Sequence, residues 1–542
     1  MPAIRLERTH HFVCTFSQLA TQCAAGIILL FLSCAASAQT TGSIVGKVTD
    51  PSGAVVPGGI VKATNQATSF SREAITSVSG EYVISLLPVG RYTITAQKQG
   101  FEPYRFSDVV VNVNENIRVD VPLSLGKVAE SVSVTVGVAE VETRSATLGK
   151  VIDETKIEDL PLNGRNFLNL AVLQPGVVPA MSLGSNNTPE FPGGEKSDFQ
   201  VNGLRLQSNN FLLDGADNNE PFLGTAMATP SPDALEEFKI LTNNYGAEFG
   251  GGGGSIVNII TKGGTNQFHG SLYEFFRNDV LDAENFFAIK KDKLRRNQFG
   301  GTFGGPVIRD RTFFFFNYEG FRLRQGQTQI ATVPSDPQRA GNFGAAGTVT
   351  KIDPTAAALL PLVPRANVGT NEFVSSPAQV QNTDQVNARI DHKITDKNYL
   401  SVRYFLIDGT NDRNFTNTLF GVPINLPNFP LKDNYRIQNL AVTDTHFFTS
   451  TFSNELRFGF NRGRFDSAIS TDVRDPASFG FNLPSTKAVH NMPLIALAGY
   501  TAFGTFNDSP SYRRENTYQI QDNVTWMHGR NSFRYGMQIL KN

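Results

Sequence analysis

Few of the residues that could do chemistry in this 542-residue chain are spaced to do it. Its three cysteines, Cys14, Cys23 and Cys34, sit near the start, and no other position is a cysteine. The body of the chain therefore has no disulfide framework, no thiolate-bound zinc or iron–sulfur centre and no thiol catalysis. His269, His392, His446, His490 and His528 stand tens of residues apart, and none has the i, i+4 partner common in helical metal sites. No Gly-x-Ser-x-Gly elbow is present to carry a serine nucleophile. Asp214, Asp217, Asn218 and Glu220 offer oxygen ligands of the kind calcium takes, but not at the spacing of an EF-hand loop, and they read as a polar turn. Five consecutive glycines at 250–254 could cradle a phosphate only with a Lys-Ser or Lys-Thr pair and a helix behind them. Instead the β-branched run Ser255-Ile256-Val257-Asn258-Ile259-Ile260-Thr261 follows, so the glycines read as a flexible or closely packed turn. These residues point to no catalytic set, no metal and no cofactor, and hence to a protein that is not an enzyme. A formal net charge of −1 excludes a broadly basic nucleic-acid binder.

The elements that would position such residues begin with an address. Arg5 and Arg8, the apolar run at 24–32 and Ala36-Ser37-Ala38 have the order of a secretory signal peptide over residues 1–38. The apolar run is too short to span a bilayer as a helix, which takes about 20 residues, and no later run reaches 18. Residues 42–125 alternate short strands with Pro/Gly turns, such as Asp50-Pro51-Ser52-Gly53 and Pro88-Val89-Gly90, and predict a small β-sandwich. Residues 126–263 are mixed. The spacing of Val151, Ile152, Ile157 and Leu160 predicts a helix over 148–160, and a second is expected at 233–238, capped by Ser231 or Asp233. From 264 to 542 the pattern turns to long alternating strands. Leu456, Phe458 and Phe460 oppose Glu455, Arg457 and Asn461; Tyr518, Ile520, Val524 and Trp526 form another apolar face, and Phe533, Tyr535, Met537 and Ile539 a third. Such segments suit strands with one face in lipid and one in a polar lumen. The run Phe313-Phe314-Phe315-Phe316 breaks the pattern and fits a strand buried on both sides or an interfacial girdle.

Two resemblances sharpen this reading. Gly46-Lys47-Val48-Thr49-Asp50, Gly80-Glu81-Tyr82 and Leu87-Pro88-Val89-Gly90-Arg91-Tyr92 resemble the carboxypeptidase regulatory-like domain, a transthyretin-like sandwich that is an accessory module without catalytic residues. Leu160-Pro161-Leu162-Asn163-Gly164-Arg165-Asn166-Phe167 and the turn at Asp214-Gly215 resemble the plug of TonB-dependent receptors in the subgroup with an Oar-like barrel. Tyr245-Gly246-Ala247-Glu248-Phe249-Gly250 and Val257-Asn258-Ile259-Ile260-Thr261-Lys262-Gly263-Gly264-Thr265-Asn266 carry the same resemblance.

The fold class expected is thus mainly β: signal peptide (1–38), sandwich (42–125), α+β plug (126–263) and part of an antiparallel outer-membrane β-barrel (264–542). The resemblance implies a protein of the cell outer membrane, with outer-membrane lipid, the TonB protein of the inner-membrane energy complex and an extracellular small ligand (carbohydrate, peptide or metal chelate) as partners. Ala129-Glu130-Ser131-Val132-Ser133-Val134-Thr135 looks like the segment that TonB pairs with as an added strand, although the last strand of the sandwich or a linker is the alternative. A barrel that encloses a plug takes about 22 strands of roughly 10 residues before any loops, and with 334–380 and 466–513 reading as largely non-strand the rest of 264–542 holds about half of them, so a truncated chain is expected. An adhesion protein without transport is one competing function. A secreted carbohydrate- or peptide-active enzyme is the other, since isolated carboxylates do occur.

Overall fold

The computed structural model describes residues 40–126, 132–134, 147–180, 199–222, 224–284, 291–417, 423–424, 426, 429–469, 476–482, 492–504, 510–528 and 531–542. The expected signal peptide lies outside them, as do Ala129, Glu130, Ser131 and Thr135.

Short β-branched runs closed by Asp/Pro/Gly turns build the first unit, a two-sheet sandwich. In one sheet Thr41–Thr49 pairs antiparallel with Glu81–Pro88 and parallel with Asn116–Arg118 and Val121–Pro122. The other runs in the order Ser71–Ile75, Ile60–Asn65, Gly90–Gln97, Tyr104–Val111, Val132–Val134. Inward positions of both sheets, among them Ile44, Val48, Val61, Ile84, Leu87 and Ile94, are sealed from solvent. Two tyrosines keep their hydroxyls paired inside: Tyr82 Oη donates to the Val119 carbonyl at 2.6 Å and Tyr92 Oη to that of Pro88 at 2.7 Å.

The middle unit is built on a five-stranded mixed sheet. Its order is Leu148–Asp153, Leu235–Asn243, Ile256–Thr261, Asn210–Leu213, Ala216–Asp217. Both helix expectations need correction. Residues 148–160 divide into the strand Leu148–Asp153 and a single helix Glu154–Asp159, with the Asp153 carboxylate accepting from the Lys156 amide at 2.9 Å as the cap. At 233–238 there is only a 3₁₀ turn, Pro232–Ala234, before the strand Leu235–Asn243, and Ser231 makes no side-chain cap. That strand lies between two others and is buried along nearly its whole length, so pairing on both edges overrides the capping signal. The glycine run is the closely packed form of the expected turn. A Cβ on Gly252 would stand 2.6 Å from the Ser208 carbonyl oxygen, and the Gly254 amide donates to that same oxygen at 2.8 Å.

Among the described residues nine long strands follow in one antiparallel meander, each beside the next in this series. They are labelled β1 His269–Asn278, β2 Leu294–Ile308, β3 Thr312–Gly326, β4 Ala378–Thr395, β5 Asn398–Arg413, β6 Leu431–Phe447, β7 Phe452–Ile469, β8 Ser511–His528 and β9 Asn531–Lys541. The connections are unequal. At one end β2–β3, β4–β5, β6–β7 and β8–β9 are joined by two to four residues, whereas the other end carries 279–293, 327–377, 414–430 and 470–510. Short turns on one side and long loops on the other are the arrangement of outer-membrane barrels, with the loops outside the cell.

The inner face of this sheet buries polar side chains beside apolar ones such as Phe405, Ile407 and Ile437, and the outer face exposes apolar ones. Gln298, Asn317, Asn387, Asn439, Asn461, Gln519 and Gln521 are buried on the inner face. Leu272 is 93% exposed on the outer face, where Phe458, Ile520 and Trp526 are exposed too. Buried polar and exposed apolar side chains along the same strands need a solvent that is itself apolar. Phe313-Phe314-Phe315-Phe316 resolves by the same alternation. Phe313 and Phe315 are buried inward, while Phe314 joins the ring cluster of Phe268 and Phe303 outside, with centroids 5.5–5.8 Å apart near the short-turn end. Such a cluster is the girdle expected where lipid meets water.

Candidate functional site

The middle unit lies against the polar inner face of the strands, and two of the sequence motifs form the contact. In the first, the strand Asn210–Leu213 enters a tight reversal through Asp214 (φ 49°) and Gly215 (φ 73°), which aims the Asp214 carboxylate at the wall. Its Oδ1 accepts from the Thr261 amide at 3.0 Å, and its Oδ2 accepts from Thr261 Oγ1 at 2.9 Å and from Arg403 Nε on β5 at 2.9 Å. The other two nitrogens of that guanidinium also have partners: Nη1 donates to the Asn439 carbonyl at 3.0 Å and Nη2 to the Leu213 carbonyl at 2.9 Å. Arg403 is 1% exposed, so this is a buried charge with a partner at each of its three nitrogens. From β4, Arg389 brings a second guanidinium to 3.6 Å from Asp214 and donates to the Thr261 carbonyl at 2.7 Å. From β7, the wholly buried Arg457 donates to the Gly215 carbonyl at 3.3 Å and pairs with Glu455 at 2.8 Å. The contact continues with the Asp217 amide on Gln519 Oε1 at 2.8 Å and with Arg513 on the buried Glu220 at 2.7 Å. Asp214, Asp217, Asn218 and Glu220 thus serve a turn docked to the wall; Asn218 exchanges two hydrogen bonds with the backbone of Ala228.

The second motif makes a separate contact. Leu160 and Pro161 are exposed, and Leu162 packs on the unit's core. Asn163 begins a one-turn 3₁₀ helix, and Gly164 and Arg165 both take positive φ. Asn166 accepts from the Leu168 amide at 3.1 Å, and Phe167 is buried edge-on against Phe238, centroids 5.2 Å apart. The reversal carries Arg165 onto the barrel wall. Its guanidinium stacks over Phe275 and Tyr273 of β1 at 4.1 and 4.7 Å, pairs with Asp233, and lies 3.5 Å from Glu319 of β3. Glu319 is held in turn by Gln298 at 2.9 Å, Gln385 at 2.7 Å and Tyr273 at 3.0 Å.

The third motif is placed elsewhere. Of 129–135, only Val132–Val134 is described, and it runs parallel to Tyr104–Phe106 on the edge of the sandwich. The wall partners Arg389, Arg403, Arg457, Glu319 and Gln519 are not singled out as site residues by the sequence. Their one signal is a charged or amide side chain at an inward position of an alternating strand.

The sandwich closes the short-turn end. Arg72 lies 3.4 Å over the Phe447 ring and Phe70 packs edge-on against Tyr399 at 4.6 Å. On the middle unit, Glu237 accepts from the Val113 amide at 2.5 Å and Lys239 donates to the Asn114 carbonyl at 3.0 Å. Burial pushes the Glu237 carboxyl up to about 8, against the opposing pull of the Val113 amide. A carboxyl whose folded pKa is raised contributes stability that is complete below its unfolded value, near 4.3, and is lost as pH rises through about 8. The wild-type chain is therefore expected to lose resistance to urea between pH 5 and pH 9, and Glu237→Gln to flatten that slope. Equal slopes in the two proteins would remove Glu237 as the cause.

Comparison with known proteins agrees with this geometry. Residues 260–542 match the outer membrane beta barrel domain, and residues 43–124 the carboxypeptidase regulatory-like domain. The chain is 28% identical over 305 residues to the TonB-dependent transporter Oar of Myxococcus xanthus, covering 53% of this chain and 27% of that protein. It is also 28% identical over 201 residues to the probable TonB-dependent siderophore receptor PirA of Acinetobacter baumannii, covering 34% and 25%. It spans about a quarter of the length of these relatives. Among solved structures, the outer membrane transporter YddB of Escherichia coli aligns with 72% of this chain and 48% of its own, at 11% identity and a TM-score of 0.47. With just over half of its residues in the matched domain, the chain belongs to the outer-membrane β-barrel family and is a protein of the outer membrane.

Proposed function

We propose that the chain serves TonB-dependent uptake of a scarce extracellular compound, with residues 126–263 as the plug of the barrel and no enzymatic step. The observation that carries this reading is the docking of the middle unit on the polar inner wall through Asp214–Arg403 and Arg165–Glu319. These charge-assisted hydrogen bonds fix the orientation of a body that also shares an apolar cluster with Phe405, Ile407, Ile437 and Phe465 of the wall, and water can replace them when the body separates. The names of the relatives, a transporter and a siderophore receptor, favour the same activity. TonB is the proposed periplasmic partner, and 129–135 the segment it pulls. The cargo is proposed at the level of class: a metal chelate, carbohydrate or peptide.

The test is uptake by cells that carry the gene in its natural reading frame, with radiolabelled ferric chelates, oligosaccharides and oligopeptides as probes. One probe is expected to accumulate only with TonB present and the proton gradient intact. Deleting 129–135 is expected to abolish that accumulation and leave surface binding of the probe unchanged. Uptake that survives the deletion would discard the segment, and a phenotype independent of TonB would favour the adhesion reading.

A further inference from the structure

The outer face of the strands carries a feature that docking of the plug does not use. Arg436 on β6, Arg464 on β7 and Arg514 on β8 stand directly opposite one another in the register of three neighbouring strands, all pointing outward and exposed. Like charges placed opposite across strands destabilise a sheet. Two carboxylates offset them: Asp408 pairs with Arg436, and Asp466 is shared by Arg464 at 2.8 Å and Arg514 at 2.5 Å. The exposed Arg462 lies two residues below Arg464 on the same face, so four guanidiniums share two carboxylates.

The row sits at a definite depth. On β6 and β7 its arginine is four residues beyond the last large apolar outward side chain, Leu440 and Phe460; on β8 it is four beyond Tyr518, with the exposed Tyr512 two residues farther out. At a rise of about 3.3 Å per residue and a tilt near 40°, that is roughly 10 Å above the apolar band, at the long-loop end. Arginine side chains can bend back from that height into the interfacial layer, which flanks the hydrocarbon core. Toward the opposite end the same outward faces carry Asp444, His446 and Asp522, the last between Ile520 and Val524, and no such row among the described residues.

We infer that this arginine row is a binding site for the phosphate-bearing headgroup of a lipid in the outer leaflet. A guanidinium matches phosphate oxygens bidentately, and ion pairs this exposed are weak enough to exchange a carboxylate for a phosphate. The acyl chains of the same lipid lie along Phe458, Phe460 and Ile520 directly beneath, an anchorage that a free anion lacks. The site rests on the barrel alone and is independent of transport.

The experiment uses the 542-residue chain in detergent micelles and native mass spectrometry. The probes are a bisphosphorylated, multiply acylated glucosamine disaccharide, the same glycolipid without its phosphates, and inorganic phosphate as competitor. The phosphorylated lipid is expected to be retained about ten-fold or more better than the dephosphorylated one, and inorganic phosphate to compete poorly. Arg436→Gln/Arg464→Gln/Arg514→Gln is expected to lose that preference, and the same three positions changed to Lys to keep part of it. Arg309→Gln/Arg311→Gln, in the short turn at the other end, is expected to bind as wild type. Heat-modifiable mobility checks that each variant is folded, and the Lys variant carries the test should the Gln variant fail that check. Wild-type binding by the folded Gln variant, equal retention of the two lipids, or full displacement by inorganic phosphate would each overturn the inference.

Discussion

Asp214→Ala is expected to free the middle unit from the barrel wall at a cost of about 3–5 kcal/mol, the largest effect foreseen for a single substitution here. The loss comes less from the missing carboxylate than from what stays behind. Arg403 is 1% exposed and would remain charged with its Nε unpaired, and Arg389, 3.6 Å from the same carboxylate, would lose its second acid. Thr261 would also lose acceptors for its amide and its hydroxyl. The measurement is protease access to 147–263 in membranes, alongside heat-modifiable mobility of the barrel. The expected outcome is a plug that is cut and a barrel that still migrates as folded. Asp214→Ala/Arg403→Met is expected to recover much of the protection, because a buried pair replaced as a pair is tolerated far better than one broken. If the double variant is cut as readily as the single, the pair does not hold the plug.

Gly215→Ala is the second. Gly215 has φ 73°, where a Cβ costs about 1–2 kcal/mol from backbone strain alone. Here the Cβ would also stand 2.2 Å from Nη1 of Arg457, a guanidinium with no exposed surface. Arg457 cannot retreat freely, being tied to Glu455 and to the Thr443 hydroxyl. A loss well above strain alone is expected. Gly203→Ala supplies the reference, since Gly203 has nearly the same φ, 74°, with nothing within 4 Å of a Cβ. Equal shifts in urea midpoint for the two variants would show that contact with Arg457 adds nothing.

The barrel face was legible in the sequence because a period of two, repeated over strand after strand, survives any error in a single one: Leu456, Phe458 and Phe460 lie outside and Glu455, Arg457 and Asn461 inside, as their alternation implies. The sandwich was legible through its turn residues. The helix expected at 233–238 failed because a cap reports only the local chain, whereas Leu235–Asn243 takes its conformation from strands distant in sequence on both edges. The site was half legible. Asp214 and Arg165 stood out through resemblance, since a positive-φ reversal leaves a recognisable Asp-Gly or Asn-Gly. Arg403 and Arg457 did not, because they reach the Asp214-Gly215 turn from 189 and 242 residues away and look, in sequence, like any inward polar side chain.

The long loops at the outer end do not hang separately. Ala331 and Val333 from one, Leu426 and Phe429 from the next, and Met492 and Phe503 from a third share a small apolar core, and Thr332 and Thr501 exchange hydrogen bonds of 2.8 and 2.9 Å between two of them. The described parts of these three loops therefore form one composite surface at the long-loop end. An antibody or a phage tail fibre that grips it reads loops whose shared-core residues stand 63 to 172 positions apart as one relief, and a peptide copied from any single loop carries only a fragment of that shape.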